Sequence, residues 1–198
     1  MSLEFDEGQH EYRLDGIPIP SVSSIIKDVI RYDEKWAHLH QRGIMTEEQL
    51  ASYAQFGSAV HKACELYLKK SLDEEELDPV LEPALNGFCK FLDETKFKLI
   101  QSEEKMYSRE LWYAGTLDLY GEIDGKKAVI DIKTGKPAKW HPIQTGAYAL
   151  LVDEDADRYC LYLGRNESTY KLKKHGKHND IAFWKNVMNV HNGKARYI

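Results

Sequence analysis

The sequence predicts an α/β (α+β) fold in one domain, with a central mixed β-sheet flanked by helices and an N-terminal β-hairpin. Three observations lead there. Over residues 53–95 apolar side chains recur at three-to-four-residue steps, the spacing of amphipathic helices. From residue 98 to residue 133 the period falls to that of strands. A helix-length segment after Pro142 then separates those strands from a further one at residues 158–163. A length of 198 residues suits a single core, divided here into an N-terminal part (1–50), a motif-bearing core (51–152) and C-terminal strands and helix (153–198).

Taken in order, residues 5–19 read as a hairpin around Asp15-Gly16, with Pro18 and Pro20 confining its second arm to an edge. Ser21 or Ser23 caps a short helix reaching Ile30. Thr46, with Gln49 three residues on, is a capping box that opens another. The helix over 53–70 carries Phe56, Ala59, Val60, Ala63, Leu66 and Tyr67 on one stripe, and Asp73 to Glu76 forms a solvated loop. A second helix over 81–95 turns Leu85, Phe88, Cys89 and Leu92 inward. Strands follow over 98–108 and 111–123. Asp124-Gly125 turns the chain into Ala128-Val129-Ile130-Asp131-Ile132-Lys133, rich in β-branched residues. Thr134 to Pro137 ends that strand, and Pro142 opens a helix to Val152. Strands over 158–163 and 168–173 and a helix over 180–190 complete the chain.

Composition narrows the function classes. No stretch reaches the roughly 20 apolar residues of a membrane span. Met1-Ser2-Leu3 lacks a signal peptide's basic and apolar regions, so no membrane and a cytoplasmic location are expected. Cys64, Cys89 and Cys160 are too few and too scattered for a disulfide framework, a zinc site or an iron–sulfur cluster. The net charge of −5 is unevenly spread: residues 1–110 hold 13 Lys/Arg against 22 Asp/Glu, and residues 111–198 hold 14 against 10. A polyanionic partner is therefore expected to meet the second half.

The chemistry concentrates on two strands. Alternation puts Val129, Asp131 and Lys133 on one face of their strand and Ile130 and Ile132 on the other. Buried charge at a strand end is costly unless paired or bound to a metal. The preceding strand holds Asp118 among Leu117, Leu119 and Tyr120, and the Asp124-Gly125 turn folds it antiparallel onto the next. Asp118 and Asp131 then approach across the ladder, where two carboxylates repel unless a cation lies between them. Hard oxygen donors of this kind suit Mg²⁺ or Mn²⁺.

The ordered set Gly115-x-x-Asp118, hairpin, Asp131-x-Lys133, then Gln144-x-x-x-Tyr148 resembles the PD-(D/E)XK nuclease superfamily, and within it the RecB-like and phage-type exonucleases lacking the iron–sulfur cluster. Gly57-Ser58-Ala59-Val60-His61 matches that branch's Gly-x-x-x-His pattern. The resemblance spans residues 57–148 and implies a restriction-endonuclease-like core and a metal-dependent nuclease. It makes Asp118, Asp131 and Lys133 catalytic, and one or two ions held by His61, Asp118, Asp131 and the Ile132 carbonyl. Glu65 and one of Glu103 and Glu104 lend support, the choice depending on strand register. Gln144 and Tyr148, with Lys136 and Lys139, contact nucleic acid.

Five lysines against one acid between Lys126 and His141 agree with that placement. A second basic cluster is Lys171, Lys173, Lys174, His175, Lys177 and His178. Trp112, Tyr113 and Trp140 are aromatic candidates for base stacking, with packing the commoner role. The expected activity is DNA exonuclease action on free ends in phage recombination or repair, with self-association or a recombination partner protein. The alternatives are an endonuclease of restriction or CRISPR-adaptation type, or an inactive nucleic-acid-binding module of the same fold.

Overall fold

A computed structural model describes residues 2–30, 46–176 and 179–197. Lys177 and His178 of the second basic cluster lie outside the described residues. The chain forms a mixed five-stranded sheet in the order β4-β5-β6-β7-β8 and a three-stranded N-terminal sheet β1-β2-β3. These strands are β1 Leu3–Asp6, β2 Glu11–Leu14, β3 Ile17–Ile19, β4 Lys98–Ser108, β5 Tyr113–Ile123, β6 Lys126–Lys133, β7 Asp157–Leu163 and β8 Tyr170–His175. The helices are α1 Val22–Val29, α2 Glu47–Leu68, α3 Glu82–Thr95, α4 His141–Val152 and α5 Asn179–Tyr197.

The predicted caps close the first two helices. Ser21 and Ser24 form a reciprocal capping box on α1, and Thr46 and Gln49 form one on α2. The N-terminal hairpin is in fact two consecutive hairpins. Asp15 and Gly16, both at positive φ, turn β2 into β3 as expected, but a further turn at residues 7–10 adds β1. That turn has no Asn-Gly or Asp-Gly signature: Asp6 Oδ1 accepts from the Gly8 and Gln9 amides, and His10 takes the positive φ.

Asp124 (φ 50°) and Gly125 (φ 73°) make a two-residue turn with left-handed backbone at both positions, pairing Ile123 with Lys126. β6 and β7 run parallel, joined through α4, and every other neighbouring pair in the two sheets is antiparallel. Alternation along β6 feeds two cores. Val129 packs with Ile25, Ile26, Tyr120, Ala147 and Trp184 from α1, β5, α4 and α5. Ala128, Ile130 and Ile132 pack with Phe56 and Val60 of α2 and Phe88 and Phe91 of α3. Helices therefore cover both faces, and the carboxyl ends of the parallel pair β6/β7 open between them, where α/β sheets commonly present their ligand sites. Among the described residues no helix is long and apolar enough to cross a membrane.

Two close approaches fix the frame. Arg158, 1% exposed, reaches from β7 to the Pro142 carbonyl, the Gly176 carbonyl and the Asp180 carboxylate, tying α4 and α5 to the sheet. At Gly121 a Cβ would stand 2.3 Å from the Lys98 carbonyl oxygen and 2.5 Å from the Phe97 ring. Gly121→Ala must push β4 aside and is expected to cost about 1–3 kcal/mol. The check is a lower urea midpoint at unchanged m-value; a midpoint equal to wild type would show that β4 yields freely.

Candidate metal centre

Asp118, Asp131 and Lys133 come together at the carboxyl end of β6. The β5–β6 register ends at Leu119–Ile130. Beyond it the Asp118 carboxylate takes over, with Oδ2 accepting the Ile132 amide at 2.6 Å. His61 reaches in from α2, placing Nδ1 3.4 Å from Asp118 Oδ1 and 3.9 Å from Glu103 Oε1. Its Nε2 lies 3.1 Å from the Ile132 carbonyl oxygen.

His61, Glu103 and Asp118 form a possible metal-holding group, with their ligand atoms all within 4.8 Å of one another. Octahedral Mg²⁺, with bonds of about 2.1 Å, sets its ligand atoms about 3.0 Å apart in cis and about 4.2 Å apart in trans. The two spacings from His61 Nδ1, 3.4 Å to Asp118 and 3.9 Å to Glu103, fall within that range. The expected single shell of His61, Asp118, Asp131 and Ile132 is nevertheless divided. Asp118 and Glu103 face Nδ1 of His61, whereas the Ile132 carbonyl faces Nε2, and one ion takes only one of those nitrogens. Asp131 stands apart from the group. Its Oδ2 is 2.6 Å from Lys133 Nζ and accepts from the Cys160 thiol at 3.7 Å, Cys160 being its neighbour in the β7 register.

Register decides which of the two glutamates lies opposite Asp118. A bulge between Leu99 and Gln101 shifts β4 by one residue, so that Glu103 lies between the pairs Ser102–Leu119 and Glu104–Leu117, opposite Asp118. Glu104 is exposed on the other side. Glu103 holds a left-handed backbone (φ 50°), an uncommon conformation for a side chain of this size. Glu65 is not free for support: Lys62 and Lys69 take its two oxygens at 2.8 and 2.5 Å.

The electrostatics reflect crowding. Burial alone would lower the His61 pKa, but the charge and hydrogen bond of Asp118 outweigh it, and with Glu103 they push it up to about 9. Glu103 is pushed up to about 7, first by burial and then by the charge of Asp118. Asp118 is itself held low: burial raises it, but His61, Lys133 and the Ile132 amide prevail. In Asp131 burial, reinforced by Asp118, prevails over Lys133 and raises the carboxyl. Lys133 is raised by Asp131 and Asp118 against its burial, so it stays an ammonium. Asp118 and Asp131 both lie in the field of the Lys133 ammonium, with protonated His61 a second cation beside Asp118.

Gln144 and Tyr148 share a face of α4, each 7% exposed, with the Gln144 amide donating to the Tyr148 hydroxyl at 3.2 Å. Gln144 Oε1 is buried without a hydrogen-bond partner. Burial, then the charges of Asp131 and Asp118, raises the Tyr148 phenol, which places it within their field. Lys136 and Lys139 are exposed on the loop after β6. Tyr113 is wholly buried and donates to the Ala147 carbonyl, so it packs and does not stack on bases. Trp112 packs beside the N-terminal sheet. The second basic cluster divides: Lys171 and Lys173 are exposed on β8, Lys174 pairs with Asp157 at 2.6 Å, and His175 is buried.

Sequence reasoning passed over His141. Its Nδ1 accepts from the Ala138 amide at 3.4 Å and lies 2.8 Å from the Tyr162 hydroxyl. Burial, then Lys133, lowers it to about 3, so it is neutral. Its ring meets the Trp140 ring edge-on at 4.3 Å, and Lys133 Nζ lies 5.7 Å from the Trp140 ring centre. The Lys133 ammonium thus has the Asp131 carboxylate and the Trp140 ring as neighbours. The signal in the sequence was faint, since His141 reads simply as the start of a helix.

Comparison with protein-family models and with curated proteins finds no match. Among solved structures the chain is similar to the one titled "Crystal structure of SSO0001", at 14% sequence identity over 88% of this chain and 75% of that chain, with a TM-score of 0.45.

Proposed function

We propose that the chain is a divalent-metal-dependent nuclease that hydrolyses phosphodiester bonds, acting as an exonuclease on DNA ends in phage recombination or repair. One observation carries the reading: Asp118, Asp131, Lys133 and His61 converge at the end of β6, with both aspartates at most 7% exposed. Two acids, an amine and an imidazole in one pocket are costly to assemble for stability alone. The ordered motifs in the sequence make a PD-(D/E)XK-type site the simplest use of them.

In that reading His61, Asp118 and Glu103 hold Mg²⁺ or Mn²⁺, with Asp131 and the Ile132 carbonyl on its border. Such an ion supplies charge neutralisation at the phosphate and a more acidic water. Lys133, paired with Asp131 and near the Trp140 ring, orients the attacking water and offsets the charge that builds on the phosphoryl oxygens. Gln144 offers its unpartnered Oε1, and Tyr148 its hydroxyl, to the nucleotide entering the cleft. Lys136 and Lys139 meet the backbone beyond.

The test uses linear and covalently closed circular DNA with Mn²⁺. Linear DNA is expected to be degraded while the circle survives. Cutting of the circle would favour the endonuclease alternative, and no metal-dependent cleavage of either would remove the enzyme reading. A manganese soak read by anomalous scattering gives an activity-independent readout, with a peak expected against Asp118.

A further inference from the structure

Arg165 lies just past β7, on the turn into β8. In the parallel register Lys133 stands beside Tyr162, so Arg165 leaves the sheet at the end where Lys133 closes β6. Its guanidinium carbon is 4.5 Å from the Phe56 ring centre and 5.0 Å from that of Tyr53. These two residues are neighbours at i and i+3 on α2; Phe56 is 6% exposed, whereas Tyr53 is 49% exposed. The next residue on α2, Gly57, sits against Thr134, which follows Lys133: a Cβ there would be 3.4 Å from Thr134 Oγ1. The stacked arginine therefore lies at the same end of the sheet as Lys133 and Thr134.

The stack sets the plane of the guanidinium. Stacking uses the face of the guanidinium, and among the described residues no carboxylate or carbonyl takes its N–H groups. The loop beneath it is pinned. The Gly164 amide donates to the Thr169 carbonyl at 3.2 Å, and Lys90 Nζ to the Ser168 carbonyl at 2.7 Å. α3 presses so close that a Cβ on Gly87 would stand 2.5 Å from Thr169 O. A planar fork of donors with its plane already set matches a phosphate's oxygens at little further loss of freedom. An exposed aromatic ring beside it suits an unpaired base, since every base has a stacking face.

We propose that Arg165 and Tyr53 form a subsite for single-stranded nucleic acid, Arg165 gripping a phosphate next to the scissile one and Tyr53 stacking on its base. The identity of the polyanion rests on the nuclease reading. The subsite makes a frayed or unpaired end the preferred substrate.

The test is fluorescence anisotropy of the full chain in EDTA, with a dye-labelled oligothymidylate and a blunt duplex, over a sodium chloride series. Arg165→Gln is expected to weaken single-strand binding and to flatten the slope of log K against log salt by about 0.7, the loss of one phosphate contact. Arg165→Lys keeps the charge and the slope but loses several-fold in affinity. Tyr53→Leu is expected to cost about tenfold on the single strand, with little change on the duplex and none in slope. A wild-type slope in Arg165→Gln, or equal losses on both probes in Tyr53→Leu, overturns the subsite. Metal-dependent cleavage with an unchanged slope would overturn the subsite alone. The expected slopes without any cleavage would keep the subsite and overturn the nuclease reading. Absence of wild-type binding to either probe overturns the subsite.

Discussion

Asp118→Asn is expected to lower metal-dependent cleavage of linear DNA by at least about a hundredfold, the scale for removing one preorganised charge from such a centre. The substitution is nearly isosteric, and its amide oxygen still accepts from the Ile132 amide, so the strand pairing has no reason to fail. What disappears is the negative charge that faces His61 at 3.4 Å and is felt by Lys133. Initial rates on linear DNA across a Mn²⁺ titration measure the loss, and circular dichroism controls for folding. A rate within a few-fold of wild type would remove Asp118 from the reaction. Lys133→Met is expected to lower the rate comparably, but with a second consequence. It strands Asp131, 1% exposed, without its counter-ion, so that carboxyl must take up a proton or the chain loses stability.

His61→Gln is expected to change how stability and metal affinity respond to pH. The folded-state pKa of about 9 lies above the ordinary 6.5, so the folded chain binds a proton that the unfolded chain has released. That contribution is complete below pH 6.5 and is lost as pH rises through about 9. Glu103 acts in the same direction one window lower, between its ordinary 4.5 and about 7. Metal-free wild type should therefore lose stability steadily towards alkaline pH. A divalent ion must displace the His61 proton, so its apparent affinity should rise by about tenfold per pH unit until that proton is gone. In His61→Gln the stability curve should flatten above pH 6.5, and the metal affinity should lose the part of its pH dependence that belongs to this proton. Thermal unfolding and calorimetric Mn²⁺ titration at several pH values measure both. Identical profiles in the two proteins would mean that His61 neither holds the proton nor competes with the ion.

Much of this was legible in the sequence, for physical reasons that can be named. Asp131 and Lys133 are fixed to one face by the two-residue period of a strand, and Asp124-Gly125 dictates the turn that brings Asp118 alongside. The caps at Ser21 and Thr46 satisfy helix amides locally, so local sequence is enough to place them. What escaped depends on register or on distant partners. Glu103 and not Glu104 faces Asp118 because a bulge near Ile100, which has no residue signature, shifts β4 by one. The division of the expected ligand shell depends on which nitrogen of His61 meets which neighbour, a side-chain orientation that residue spacing does not encode. Arg165 gains its stack from Tyr53 and Phe56, far upstream on another element. The extra strand β1 was hidden because its turn is held by an aspartate side chain and not by glycine.

The amide of Ile132 carries one more consequence. Past Leu119–Ile130 the two central strands are fastened there by an ionised oxygen of Asp118 in place of a peptide carbonyl. Any ligand that draws charge from that oxygen slackens the zip at its last tooth. Deuterium uptake at this single backbone position would then report loading of the pocket without a substrate, a turnover or a dye.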